Sequence, residues 1–511
     1  MPVPYLDPPP PVITIDGARQ LFVDDLLVER RSLTRTFHRP IPHPDNPLLK
    51  PEAVWETGHV PFAMPFSDGA WFDPDEGLFK LWYAGNEMWC TCMATSRDGI
   101  RWERPILDVV PQTNIVLDVP RDSSTVWRDP DGDPAERFKM IQTVKKKLSM
   151  TEPLVGEATG TFAFTLTYYA SPDGVHWTKR AESPVKDATG DRSTFWRDPF
   201  RGTWVYSLRD IGWQKEPGSQ PYRVRSFFEH TDLADGLAHI GDAVPWVGAD
   251  DLDPPNPAWP DQPAQLYTLD ATPYEGLMVG LFSVHQGPEN DVCADKGLQK
   301  RNQITLGFSR DGFHWDRPDR GPFIRAQERD GAWDWGNIQS VGGGFCVIGD
   351  ELRFYYSGRG RWDGFWDGNG ATGLAVLRRD GFASLDADRD GGMLVTRPVR
   401  FSGAHLFVNL EAPGGRLRVA VLDETNNPIP GFCLSDCEPV TGDGTQLAVR
   451  WRGADLPAMR GRPVRLQFEL FSGSLYAFWV SAYPTGESGG HVAAGGPGFQ
   501  HTRDRPAEPG S

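Results

Sequence analysis

The chain has 511 residues, enough for one large domain and a smaller one. Its 55 Gly, 46 Pro and 19 Trp favour a turn-rich, all-β protein. The formal net charge of -17 excludes the basic footprint that nucleic acid or an anionic membrane requires, so neither is expected as a partner.

Residues 1–30 read as an N-terminal arm and first strand: a Pro-rich stretch, then ARQLFVDDLLVERR with a strand-like start around Leu21–Glu29. The opening MPVPYLDPPPPVITIDG has no basic region followed by an apolar core, so no secretory signal is visible and a cytoplasmic location is expected. No apolar run reaches transmembrane length. Cys90, Cys92, Cys293, Cys346, Cys433 and Cys437 form no Cys-x-x-Cys pair and no zinc spacing. They read as free thiols of a reducing compartment. The acidic run GADDLDPP at Gly248–Pro255 lacks regular ligand spacing and reads as a solvated turn. No metal and no cofactor is expected.

Residues 31–390 contain a repeat. Ser-x-Asp-Gly-x-x-Trp occurs at Ser96–Trp102, Ser171–Trp177 and Ser309–Trp315, with weaker copies at His230–Gly236 and Arg378–Ser384. The starts are 75, 59, 79 and 69 residues apart, which suits four-stranded blades with generous loops. The segments GAWFDPDEGLFKLWYAG, STVWRDPDGDPAERFKMIQTV, STFWRDPFRGTWVYSL, QLYTLDATPYEGLMVGLFSV and GFCVIGDELRFYYSG each read as a hairpin. The fold class expected is all-β: a five-bladed β-propeller followed by a β-sandwich domain. The sandwich is assigned to 391–485, where short alternating strands follow one another, and a Gly/Pro-rich tail to 486–511.

In a propeller the innermost strands line the axis, so acids at the same register in successive blades converge. DSSTVWRDP at Asp122–Pro130 and DRSTFWRDP at Asp191–Pro199 carry two acids at matching positions. Asp129 and Asp198 precede the turn Pro, as Asp73 does in the first blade, and read as turn residues that bond their own backbone. Asp122 and Asp191 lie seven residues earlier, at the start of the inner strand. In the first blade that register falls on Phe66, with Asp68 two residues on and on the same face. Asp68, Asp122 and Asp191 are therefore the expected convergent acids, with Arg192 beside Asp191 to hold a carboxylate ionised or bind a hydroxyl.

A glycosidase also needs a proton donor. Glu275, Glu289 and Glu229 are the candidates, with Glu275 retained although it sits where its hairpin turns. His59, Trp89, Arg223, His285, Trp333, Trp335, Asn337 and Gln339 are further candidates for sugar contact, since aromatic faces suit pyranose and furanose rings.

The chain resembles the five-bladed propeller glycosidases, the superfamily of glycoside hydrolase families 32, 43, 62 and 68. LFVDDLLVE, GLFKLWYAG and SRDGFHWDRP are most similar to uncharacterised bacterial family-32-like proteins with a C-terminal β-sandwich. The resemblance implies that Asp68, Asp122 and Asp191 share the roles of nucleophile or base, transition-state stabiliser and pKa modulator. The chain has neither the Trp-Met-Asn-Asp-Pro-Asn-Gly-like motif nor the Glu-Cys dipeptide of family 32, so the resemblance speaks to fold more than to reaction. The expected function is hydrolysis of a terminal glycosyl residue, furanosyl among the candidates, with a carbohydrate as partner. A propeller-type glycoside phosphorylase, for which Arg192, Arg209, Arg223 and Arg225 would supply cations, and a non-catalytic carbohydrate-binding propeller are the alternatives.

Overall fold

The computed structural model describes residues 3–58, 60–86, 88–147, 162–187, 189–213, 222–298, 300–329, 331–360 and 369–506. The protein is built almost wholly of strands, in sheets that follow the hairpins along the chain. The first sheet contains Ala63–Met64, Ala70–Asp73, Leu78–Gly85, Cys90–Ser96 and Ile115–Leu117. The second is Ser124–Arg128, Phe138–Lys147, Phe162–Ser171 and Thr178–Glu182, and the third Thr194–Asp198, Thr203–Trp213, Tyr222–His230 and Val244–Gly248.

A nine-stranded sheet follows. It joins two antiparallel groups through one parallel pairing, Asn302 with Asn337. One group is Gln265–Glu275, Leu277–His285 and Asn302–Ser309; the other is Asn337–Val341, Cys346–Ile348, Glu351–Arg359 and Gly370–Arg378. Five antiparallel groups thus succeed one another, and their innermost strands touch in order. Ser67 bridges Thr125 in parallel, and Thr194 Oγ1 donates to the Leu269 carbonyl at 2.5 Å. Phe62 bridges Gly370, and Ile41–Pro42, which precedes the first group, pairs with the strand Gly370–Arg378 of the last. The start of the ring is thereby sewn to its end, which leaves fewer open strand edges.

The Ser-x-Asp-Gly turns are built as their composition dictates. Ser96 Oγ accepts the Gly99 N–H at 2.9 Å, and Asp98 Oδ1 accepts those of Ile100 and Arg101 at 2.9 and 2.8 Å. Ser171/Asp173 and Ser309/Asp311 repeat the pattern. Gly99, Gly174 and Gly312 have φ of 70°, 80° and 76°, the left-handed region that glycine enters without a Cβ penalty. The repeat is scaffold. Between the groups, Trp82 packs on Phe138 at 5.4 Å and on Trp177 at 6.4 Å, while its indole N–H donates to the Gly174 carbonyl. Burying a side chain of this size stabilises the fold by about 3 kcal/mol.

The second nine-stranded sheet runs Val28–Arg31, Gly392–Thr396, Arg465–Phe471, His405–Leu422, Gly473–Ser481, Ala383–Ala387 and Thr34–Phe37, with Gln20–Leu21 and Val440–Val449 paired alongside. It has its own core around Phe22, Val408, Phe468 and Phe478. The structure thus draws Thr34–Phe37 and Ala383–Ala387 into this sheet, whereas the sequence boundaries put both segments with the ring. The cause is pairing: Leu385 sits opposite Leu475 on one side and Arg35 on the other. The tail packs back on the ring: Tyr274 pairs with Val492, and Val347 N–H donates to Gly495.

Among the described residues all six cysteines are free thiols. No helix there is long and apolar enough to cross a membrane, and no cluster of three or more His, Cys, Asp or Glu could hold a metal ion.

Candidate functional site

The first strand of each ring group leaves the same end of the ring, so the residues just before or at its start share one mouth. Asp122 precedes Ser124–Arg128, Asp191 precedes Thr194–Asp198, Tyr267 lies near the start of Gln265–Glu275, and Asn337 and Gln339 open Asn337–Val341. Returning strands bring Arg209 and His285 to that end, and Arg223 and Arg225 leave from it.

Each acid of the sequence-derived trio meets an arginine. Asp68 is fully buried against Arg121, with Oδ2 2.6 Å from Nη2. Asp122 Oδ1 lies 3.0 Å from Arg192 Nη1, and Asp191 pairs with Arg209. The three pairs interlock: Arg121 is the neighbour of Asp122, Arg192 is the neighbour of Asp191, and Ser123 Oγ donates to the Asp191 carbonyl at 2.7 Å. Arg192 also spreads its guanidinium over the Phe66 ring at 4.3 Å. Asp68 carries a carboxyl raised by burial, which the charge and hydrogen bond of Arg121 only partly offset.

Tyr267 is the hub, and the sequence reading missed it. Its hydroxyl accepts Gln339 Nε2 at 3.1 Å and Arg192 Nε at 3.4 Å. Arg192, Lys300 and Arg223 stand 5.7, 5.8 and 5.9 Å from its ring centre. Burial pushes the phenol up, but Lys300, Arg192, Arg209 and Arg223 outweigh it and pull the group down to about 7. At neutral pH this oxygen is shared between phenol and phenolate, which gives it a base character that a tyrosine ordinarily lacks.

Beyond Tyr267, Arg223 Nη1 and Nη2 reach Glu289 at 3.1 and 3.2 Å, and Gln265 Nε2 donates to the same carboxylate at 2.9 Å. The His285 imidazole, 3.8 Å from its Oε1, and the Arg223 guanidinium hold the Glu289 carboxyl well below the usual range. His285 is buried 6.2 Å from Tyr267, ring to ring, and bonds Asn302 through Nδ1 at 2.9 Å; burial keeps it neutral. Asn302 passes the chain on to Asn337 at 2.9 Å.

Deeper on the axis lies Asp270, also unforeseen from sequence. Burial pushes its carboxyl up to about 7; a Ser67 hydrogen bond and the Arg225 charge oppose the rise, and the Asp68 charge adds to it. A β-bulge explains why strand alternation missed this pair. The register slips between Leu266 and Thr268. Tyr267 and Asp270, three residues apart, therefore both engage partners across the ring instead of facing opposite sides.

The mouth thus holds arginine-paired carboxylates at Asp122, Asp191 and Glu289, the last with its carboxyl held well below the usual range, and an acid at Asp270 whose carboxyl is pushed up to about 7. Separated acidities of this kind are what acid–base chemistry on one substrate needs.

Of the remaining candidates, Glu275 stands apart. It closes the same strand as Tyr267, eight residues on, about 27 Å away along an extended chain. There it accepts Arg19 N–H at 2.8 Å and Ser488 Oγ at 2.7 Å, at the junction with the N-terminal arm and the tail. Trp333 is packed on Tyr356 at 5.4 Å, and a Cβ on Gly373 would stand 2.6 Å from its indole, so it fills its blade. Trp335 is half-buried, and Trp89 is 58% exposed. Glu229 binds Arg201 at the rim far from the mouth. His59 lies outside the described residues.

No protein-family model matches the sequence, and no curated protein matches it. Solved structures similar to the chain include a thermostable family-43 glycoside hydrolase, with TM-score 0.40 and 12% identity over 65% of this chain and 96% of that one. Others are an N-acetylgalactosamine deacetylase from F. plautii, with TM-score 0.39 and 15% identity over 66% and 97%, and a family-43 arabinoxylan arabinofuranohydrolase from Bacillus subtilis, with TM-score 0.32 and 10% identity over 93% and 97%. Similarity at this level carries no argument about the reaction, and the fold stands on its own strand pairings.

Proposed function

We propose that the protein is a glycoside hydrolase that removes a terminal glycosyl residue at the mouth between Asp122, Asp191 and Tyr267. The five antiparallel groups are, in this reading, the five blades of a propeller. The observation that carries it is the succession of acids on neighbouring groups, each fixed by an arginine, beside an acid whose carboxyl is raised to about 7. Asp191 acts as nucleophile or base, Asp122 supports the transition state, and Asp68 is the third member of the set. Asp270 becomes the candidate proton donor in place of Glu275: burial pushes both carboxyls up to about 7, but Glu275 lies at the far end of the strand Gln265–Glu275, bound to Arg19 N–H and Ser488.

A second reading, glycoside phosphorolysis, has its own support. Arg192, Arg223 and Lys300 surround Tyr267 in a chain whose net charge is -17, and such a cation cluster suits phosphate. A panel of nitrophenyl pyranosides and furanosides, with and without phosphate, separates the readings. Hydrolysis independent of phosphate supports the first, and turnover only with phosphate supports the second. Saturable sugar binding without turnover would leave a carbohydrate-binding propeller.

A further inference from the structure

The repeated Trp-x-Asp-Pro turns have no part in the chemistry proposed above. They gather at the opposite mouth of the ring, around a cleft of about 410 Å³ bordered by Trp71, Trp127, Arg128, Arg197, Trp204 and His491. That volume accommodates one or two sugar rings. The three indoles adjoin edge to face: Trp71 to Trp127 at 4.9 Å and Trp127 to Trp204 at 6.3 Å. Asp129, Asp131 and Thr502 complete the polar rim.

Three nitrogens in this wall are buried without a hydrogen-bond partner: Arg128 Nε, Arg197 Nη1 and His491 Nε2. Arg128 is 8% exposed and His491 6%, so both side chains are more than nine-tenths buried. Asp73 lies 4.0 Å from Arg128 Nε, near enough for charge but beyond hydrogen-bond reach. Other buried side-chain atoms of the protein also lack a hydrogen bond, so what sets this cleft apart is that two guanidinium groups and an imidazole line one cavity together with three indoles. Burial, with Arg503 and Arg505, pulls the His491 imidazole down to about 4, so it is neutral at physiological pH. Arg197 lies over the Trp204 ring at 5.4 Å, which fixes the guanidinium without using its donors.

We propose that this cleft is a second ligand site, for a sugar acid: a carboxylate on the Arg128 and Arg197 donors, hydroxyls on His491 Nε2 and the Asp129 and Asp131 carboxylates, and a ring face against the indoles. The chemistry selects this class. Guanidinium pairs favour planar carboxylates, indole faces favour sugar rings, and neighbouring acids accept hydroxyl protons. The site is independent of the reaction at the other mouth.

The test is isothermal titration calorimetry of the full chain with glucuronate, galacturonate and glucose. The two variants are Arg197→Gln, which removes a donor, and Thr231→Trp, which fills the cleft from an exposed rim position. Saturable binding of at least one acid is expected, with glucose at least about tenfold weaker, a loss of at least about tenfold in Arg197→Gln, and no binding in Thr231→Trp. Absence of saturable binding by both acids overturns the proposal. So does glucose binding as tightly as the acids, or acid binding left unchanged in both variants.

Discussion

Gln339 donates from Nε2 to the hydroxyl of Tyr267 at 3.1 Å, joining the last group of the ring to the fourth across the axis. Arg192 reaches the same oxygen from the third group and Asp122 on the second, so four of the five groups meet around one phenol. Such a hub fixes the relative positions of the acids more tightly than any one ion pair does, because moving one group disturbs several charge-assisted contacts.

The state of Tyr267 is directly measurable. With the phenol pulled down to about 7 from its ordinary 10.0, tyrosinate absorbance should rise through neutral pH in the parent and stay flat there in Tyr267→Phe. Lys300 heads the cations responsible, so Lys300→Met should move the midpoint upward by about 1 unit or more. A titration of the parent only near the ordinary value would contradict the hub.

Asp270 predicts a pH dependence of stability. Its folded-state carboxyl is raised above the unfolded value of 3.8, so the neutral acid is favoured in the fold. That contribution is complete below the unfolded value and is lost as pH rises through about 7. Asp270→Asn imitates the neutral acid. Its melting temperature should match the parent's at or below about pH 4 and exceed it by about 2 °C or more above neutrality. A difference that does not change with pH would refute the assignment.

Glu275 tests whether the two ends of the strand Gln265–Glu275 have separate duties. Glu275→Ala removes the acceptor of Arg19 N–H and Ser488 Oγ, while Asp380 still pairs with Arg19, and should cost about 1–3 kcal/mol in chemical denaturation. Turnover by the folded fraction should stay within about twofold of the parent. A variant of parental stability but lost activity would place Glu275 in the chemistry.

The repeat, the hairpins and the matching positions of Asp122 and Asp191 are legible in the sequence because they rest on turn residues and equal spacing. Asp68 is not placed by strand alternation, since Phe66 has φ 43° and Asp68 N–H donates to the Pro65 carbonyl in a turn between Ala63–Met64 and Ala70–Asp73. Tyr267 and Asp270 were not legible, since the bulge after Leu266 is invisible to an alternation count. Nor was Lys300, which acts on a ring 33 residues away in sequence. Glu275 attracted attention as a lone acid beside a turn; only the distant Arg19 and Ser488 reveal its place at the junction. The segments Thr34–Phe37 and Ala383–Ala387 were assigned by position, whereas long-range pairing decides their sheet.

The central claim is that Asp122 and Asp191 act on a glycoside at the Tyr267 mouth. The most direct test is kcat/KM of Asp191→Asn and Asp122→Asn on whichever nitrophenyl glycoside the parent turns over, with melting temperature as the control for folding. The account predicts a fall of about a thousandfold for Asp191→Asn, a smaller but clear fall for Asp122→Asn, and melting temperatures close to the parent's. Parental turnover in both variants would contradict it.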